Sequence, residues 1–100
     1  MARDISRKKI KASILIKGFL KSRKASDHDM YYFVYKGKTY KHIVVKLSRG
    51  SSYKTYDISL ISKMKTRVRL DTNQQIYDLF ECPMDFNKYI EILKEKSELD

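Results

Sequence analysis

A chain of 100 residues with 42% hydrophobic side chains is sized for one domain with its own core and leaves no room for a second. No run of 18 apolar residues occurs, which excludes a membrane-spanning helix, and the single cysteine, Cys82, excludes an internal disulfide. Lysine and arginine number 22 against 12 acids, a net charge of +10 that points to a polyanionic partner, RNA above all.

The basic excess is uneven. Residues 1–70 hold 19 bases and four acids, whereas residues 71–100 hold three bases and eight acids. A basic body with an acidic segment turned away is the footprint expected of a protein that grips phosphates. The alternative is a lysine-rich solvated surface. The cysteine count makes a reducing, cytoplasmic setting the expectation.

Residues 1–9 are basic but carry no continuous apolar run of the kind a leader needs, so they are read as the approach to a core helix. Ser6 is an N-cap residue for a helix running to about Lys17, with Ile5 and Ile10 placed as a hydrophobic staple. Ile10 and Ile14, with Leu15, can face a core, and Gly18 supplies the stop. Residues 19–23 form a short strand. Residues 30–35 are aromatic and β-branched and form a second. Lys36, Gly37 and Lys38 make a tight turn, with Gly37 free to take positive φ, and residues 39–47 return as the third strand. Alternation there puts Ile43, Val45 and Leu47 on a core face and Tyr40, His42, Val44 and Lys46 on the other.

Residues 48–52 are loop by composition. Asp57 caps a second helix, with Ile58, Ile61, Met64 and Val68 along one side and Leu70 closing it. Thr72 and Gln75 make a capping box for a short third helix bearing Ile76, Leu79 and Phe80, which Cys82 and Pro83 end. Asp85 caps a fourth, where Phe86, Tyr89, Ile90 and Leu93 recur at i, i+3, i+4 and i+7. The fold class is therefore α+β. Its core is α-β-β-β-α, a three-stranded antiparallel sheet with helices on one face, followed by two short C-terminal helices.

Few residue types here can carry chemistry. One cysteine and two separated histidines, His28 and His42, give no metal-ligand cluster, and no cofactor is implied. Spacing supports no Ser-His-Asp or Cys-His arrangement, and Cys82 reads as a small buried hydrophobe. The stretch from Arg49 through Gly50, Ser51 and Ser52 to Lys54 precedes a helix and suits either a phosphate or a plain connection, but it lacks P-loop spacing. His42 is read as a sheet-surface residue or an RNA contact. Among eight tyrosines, Tyr31, Tyr32, Tyr35 and Tyr40 fall in the hairpin, and those left exposed among lysines can stack on bases. The predicted RNA contacts are Arg23, Lys24, Tyr32, Lys36, Lys38, Tyr40, Lys46 and Arg49.

The order of elements matches double-stranded-RNA-binding domains, and the local sequence resembles the HicA family of small toxins, which share that fold. The matching pieces are Gly18-Phe19 after the first helix; Ser26-Asp27-His28-Asp29-Met30-Tyr31 at the second strand; the turn at Gly37-Lys38; the Ser/Gly loop from Ser48 to Ser52; and Leu60-Ile61-Ser62-Lys63-Met64-Lys65 leading to Val68-Arg69-Leu70-Asp71. The likeness covers residues 6–80, with 81–100 as an added C-terminal helix. It implies a metal-independent endoribonuclease acting on messenger RNA, silenced by a HicB-like antitoxin protein, with His28 as the catalytic residue. An imidazole there could deprotonate a ribose 2′-OH or protonate the departing 5′ oxygen, and Arg23, Lys24, Lys46 and Arg49 are the cations available to the phosphorane. Asp27 and Asp29 flank His28, where they either hold its charged form or repel phosphate. Two other readings stand beside this one: a non-catalytic RNA-binding module on the same scaffold, and a protein-interaction adaptor using the last helix.

Overall fold

The computed structural model describes residues 4–22, 28–48, 54–81 and 83–99. Its elements in chain order are β1 (Ile5–Ser6), α1 (Arg7–Leu15), β2 (Phe19–Lys21), β3 (His28–Tyr35), β4 (Lys38–Ser48), β5 (Thr55–Tyr56), α2 (Ile58–Arg67), α3 (Asn73–Glu81) and α4 (Phe86–Glu95). Strands β2, β3 and β4 form an antiparallel sheet in that order, and β1 pairs separately with β5. The architecture is thus α+β, with a three-stranded antiparallel sheet and four helices. The Cα radius of gyration, 12.8 Å, is that of a compact globule of this length, about 13 Å. No helix among the described residues is long and apolar enough to cross a membrane.

Local chemistry explains the helix boundaries. Ser6, Asp57 and Asp85 each accept a hydrogen bond from the amide three residues on, Lys9, Leu60 and Lys88. Thr72 and Gln75 bond each other's amides reciprocally, closing the capping box. Helix α1 stops at Leu15, two residues short of the expectation, because the chain turns through Gly18 at φ 95°. A Cβ at Gly18 would also lie 2.9 Å from ring carbons of both Phe33 and Phe86, so the position is closed to any side chain on two counts. Helices α2 and α4 end in the same way. The amide of Leu70 reaches the carbonyl of Lys65 and that of Glu98 reaches Leu93, while Arg69 and Ser97 adopt left-handed φ of 63° and 58°.

The core lies between the helices and one sheet face. Phe33 is fully buried, and its ring meets Phe19 at 5.4 Å, Tyr40 at 6.2 Å, Phe86 at 6.3 Å and Tyr89 at 5.4 Å. Helix α4 is therefore built into the core, since it supplies Phe86 and Tyr89 to this cluster. Beyond α4, Glu98 faces the body, 3.3 Å from His42 Nε2 and 4.0 Å from Arg69 Nε, and Lys96 Nζ lies 2.6 Å from Asp71.

Three expectations are corrected. Leu15 is exposed rather than core-facing. Lys17, expected as the last residue of a helix, is instead outside α1 and 2% exposed, and its Nζ donates to the carbonyl of Leu79 while Ser13 one turn earlier donates to Phe80. The two side chains satisfy carbonyls that the last turn of α3 leaves open, where the helix dipole favours a cation. Tyr40 does not share a face with Val44 and Lys46. Val44 lies opposite Tyr32, but Tyr40 lies opposite Phe33, so β4 advances four residues while β3 advances one. That bulge reverses the alternation and turns Tyr40 into the core at 5% exposure.

Candidate nucleic-acid interface

Strand β3 exposes its two sides differently. Tyr31 and Phe33 point into the core, and Asp29, with the same parity, lies on that side, 3.7 Å from Lys21. His28, Met30, Tyr32 and Val34 have the opposite parity and are each half-buried. His28 is thus separated from Asp29 by the sheet itself, and Asp29 faces α1, beside Arg7, Lys8 and Lys11. Asp27 lies outside the described residues. Tyr31 has a buried hydroxyl without a hydrogen-bond partner among the described residues. Burial, and then the Asp29 charge, push its phenol above the ordinary range, so it stays neutral at physiological pH.

His28 lines a cleft of about 390 Å³ between the end of the sheet and α2. Lys46 and Ser48 contribute from β4, Tyr56 from β5, and Lys63 and Arg67 from α2, over an apolar floor of Leu60 and Met64. The strand end that carries His28 is held in place. His28 pairs with Ser48 in the sheet register, Ser48 N–H donates to the Tyr56 hydroxyl at 2.8 Å, and Arg7 Nη1 donates to the Ser48 carbonyl at 2.6 Å. Both backbone groups of this edge residue are therefore satisfied without another strand.

Lys46, Lys63 and Arg67 are exposed and bring three positive charges to the lip of a cleft that has no carboxylate in its lining among the described residues. Such a site can hold a phosphodiester by charge-assisted hydrogen bonds and set an imidazole beside it. Lys63 and Arg67 were not among the sequence candidates. Their signal was present as two bases at i and i+4 on one helix face.

The remaining candidates scatter. Lys36 and Lys38 sit at the hairpin turn, the far end of the sheet, with their ammoniums over Tyr35 at 5.4 Å and Tyr40 at 5.0 Å. The turn itself is a two-residue one with positive φ at both Lys36 and Gly37. His42 faces Glu98, far from the cleft in sequence register. Arg23, Lys24 and Arg49 lie outside the described residues, as do Cys82 and Gly50 to Tyr53. Comparison with protein-family models, with curated proteins and with solved structures returns no match.

Proposed function

We propose that this chain binds RNA in the His28 cleft and cleaves it there, as a HicA-like, metal-independent endoribonuclease on a scaffold like that of double-stranded-RNA-binding domains. The observation that carries the reading is the single cleft lined by His28, Lys46, Lys63 and Arg67. The resemblance in residues 6–80 and the +10 charge support it. In this reading the imidazole takes the proton of a ribose 2′-OH, and the 2′ oxygen bonds to the adjacent phosphorus. The bond from phosphorus to the 5′ oxygen breaks, and that oxygen leaves with a proton from a cleft ammonium or from water. The products are a 2′,3′-cyclic phosphate and a free 5′-OH. The three cations offset charge on the phosphorane oxygens. A HicB-like antitoxin is the partner that the resemblance adds.

The test incubates wild type and His28→Ala with mixed RNA in EDTA. Wild type is expected to release fragments with cyclic phosphate ends, and His28→Ala to be slower by about 10²- to 10⁴-fold. Salt-sensitive binding without cleavage by either protein would instead make the chain a binding module.

A further inference from the structure

The face of the sheet opposite the aromatic cluster continues away from the cleft. Its rows follow from the strand register: His28 beside Ser48, then Ser22 and Met30 beside Lys46, then Leu20, Tyr32 and Val44, then Val34 beside Thr39. At the third and fourth rows the face hollows into a groove of about 270 Å³, floored by Leu20, Tyr32 and Val34 and bordered by Thr39 and Lys41. Leu20 is 57% exposed, one of three exposed large apolar side chains among the described residues with Leu15 and Ile16, which lie at the end of α1. The aromatic cluster of Phe19, Phe33, Phe86 and Tyr89 occupies the opposite side of the sheet.

We propose that this groove is a base-stacking subsite, and that the nucleic acid bound across His28 is a single strand laid along β3 with a base on Tyr32. The inference rests on the reading of the His28 cleft as an RNA site and adds the form of the substrate. Three features carry it. Tyr32 and His28 have the same parity four residues apart, about 13 Å along the strand, so one extended strand can pass both. The apolar floor fits a base, whereas a duplex keeps its bases stacked inside and offers only backbone and groove edges. Lys41 and Lys46 are exposed beside this path and complement the phosphates that such a strand would carry.

The chain contains no tryptophan, so Tyr32→Trp places one reporter on the face. Titration in EDTA uses a single-stranded oligouridylate carrying 2′-deoxy sugars, which cannot be cleaved through the 2′ oxygen, then the same length as a duplex, then heparin. Saturable quenching by the single strand, with little by duplex or heparin, is the expected result. Equal response to all three, or none, overturns the proposal. Should the tryptophan variant fold poorly, Tyr32→Phe and Tyr32→Ala give the same answer by affinity. Phe is expected to bind as wild type, and Ala to lose about 5- to 100-fold. An alanine variant that binds as tightly as wild type also overturns it. The two readings separate cleanly. Cleavage by wild type with no quenching removes the subsite and leaves the ribonuclease standing. Quenching with no cleavage keeps the subsite and removes the catalytic role of His28.

Discussion

The two sides of β3 come from one eight-residue strand, yet they have opposite chemistry. Of the odd positions, Tyr31 and Phe33 are buried, Tyr31 beside Arg7, Lys8 and Lys11 of α1 and Phe33 against Phe19, Phe86 and Tyr89. The even positions, His28, Met30, Tyr32 and Val34, face outward and share their side with Lys46. Period-two alternation lets the strand hold the fold together with one set of side chains and meet a ligand with the other. A function carried on the even positions can therefore change with little effect on stability, and the two sides should respond differently to substitution.

The largest separation should come from neighbours. Phe33→Ala removes a ring with contacts to Phe19, Tyr40, Phe86 and Tyr89 and is expected to cost about 3–5 kcal/mol in urea unfolding. Tyr32→Ala, one residue away, should cost no more than about 1 kcal/mol. Equal losses at the two positions would mean that the outward side is also structural.

A smaller effect is expected at the helical layer. Lys17→Met keeps most of the buried volume but leaves the Leu79 carbonyl without its donor, a loss of about 1–3 kcal/mol by denaturant midpoint. RNA affinity should not change with it, because Lys17 faces α3 and not the outer side of the sheet.

Smaller still is the contribution of Tyr89, whose hydroxyl donates to the Val68 carbonyl at 2.7 Å. Burial, reinforced by the Glu98 carboxylate and opposed by Arg69, holds its phenol well above the ordinary value of 10.0. The unfolded phenol thus ionises first as pH rises. This part of the stability is complete below pH 10 and is lost above it, toward the folded-state value. Tyr89→Phe should cost about 1–2 kcal/mol near neutral pH and flatten the alkaline fall, measured by urea unfolding between pH 8 and 11.

Sequence patterns exposed most of the frame but only part of the cleft. The caps at Ser6, Asp57 and Asp85 and the Thr72–Gln75 box are local devices, readable because each satisfies amides within its own turn. The amphipathic run of α4 was equally legible, although its union with the core depends on Phe33, more than 50 residues earlier. Tyr40 was misplaced because a bulge depends on the pairing of two strands, and a single strand's alternation carries no mark of it. The burial of Lys17 cannot be read from the residues around it in sequence, because the carbonyl that makes it tolerable lies 62 residues away, on α3. The cleft illustrates both sides. His28 and Lys46 sit on paired strands, and their approach followed from the hairpin, whereas Lys63 and Arg67 arrive by the docking of α2 beside β4, a long-range event. Lys36 and Lys38 went the other way. They are close to the strands in sequence but lie at the opposite end of the sheet.

The central claim is that RNA is held by the cations of the cleft and not by net charge in general. Two triple variants of equal charge separate these: Lys46, Lys63 and Arg67 all changed to Gln, and Lys9, Lys88 and Lys94, exposed on the helical layer, changed likewise. The measurement is the affinity for a single-stranded RNA as a function of salt, read as the slope of log affinity against log salt. The account predicts that the cleft variant loses about 2 from the magnitude of that slope, near 0.7 for each phosphate contact removed, while the helical-layer variant keeps the wild-type slope. Equal slopes for the two variants would contradict it and return the binding to diffuse surface charge.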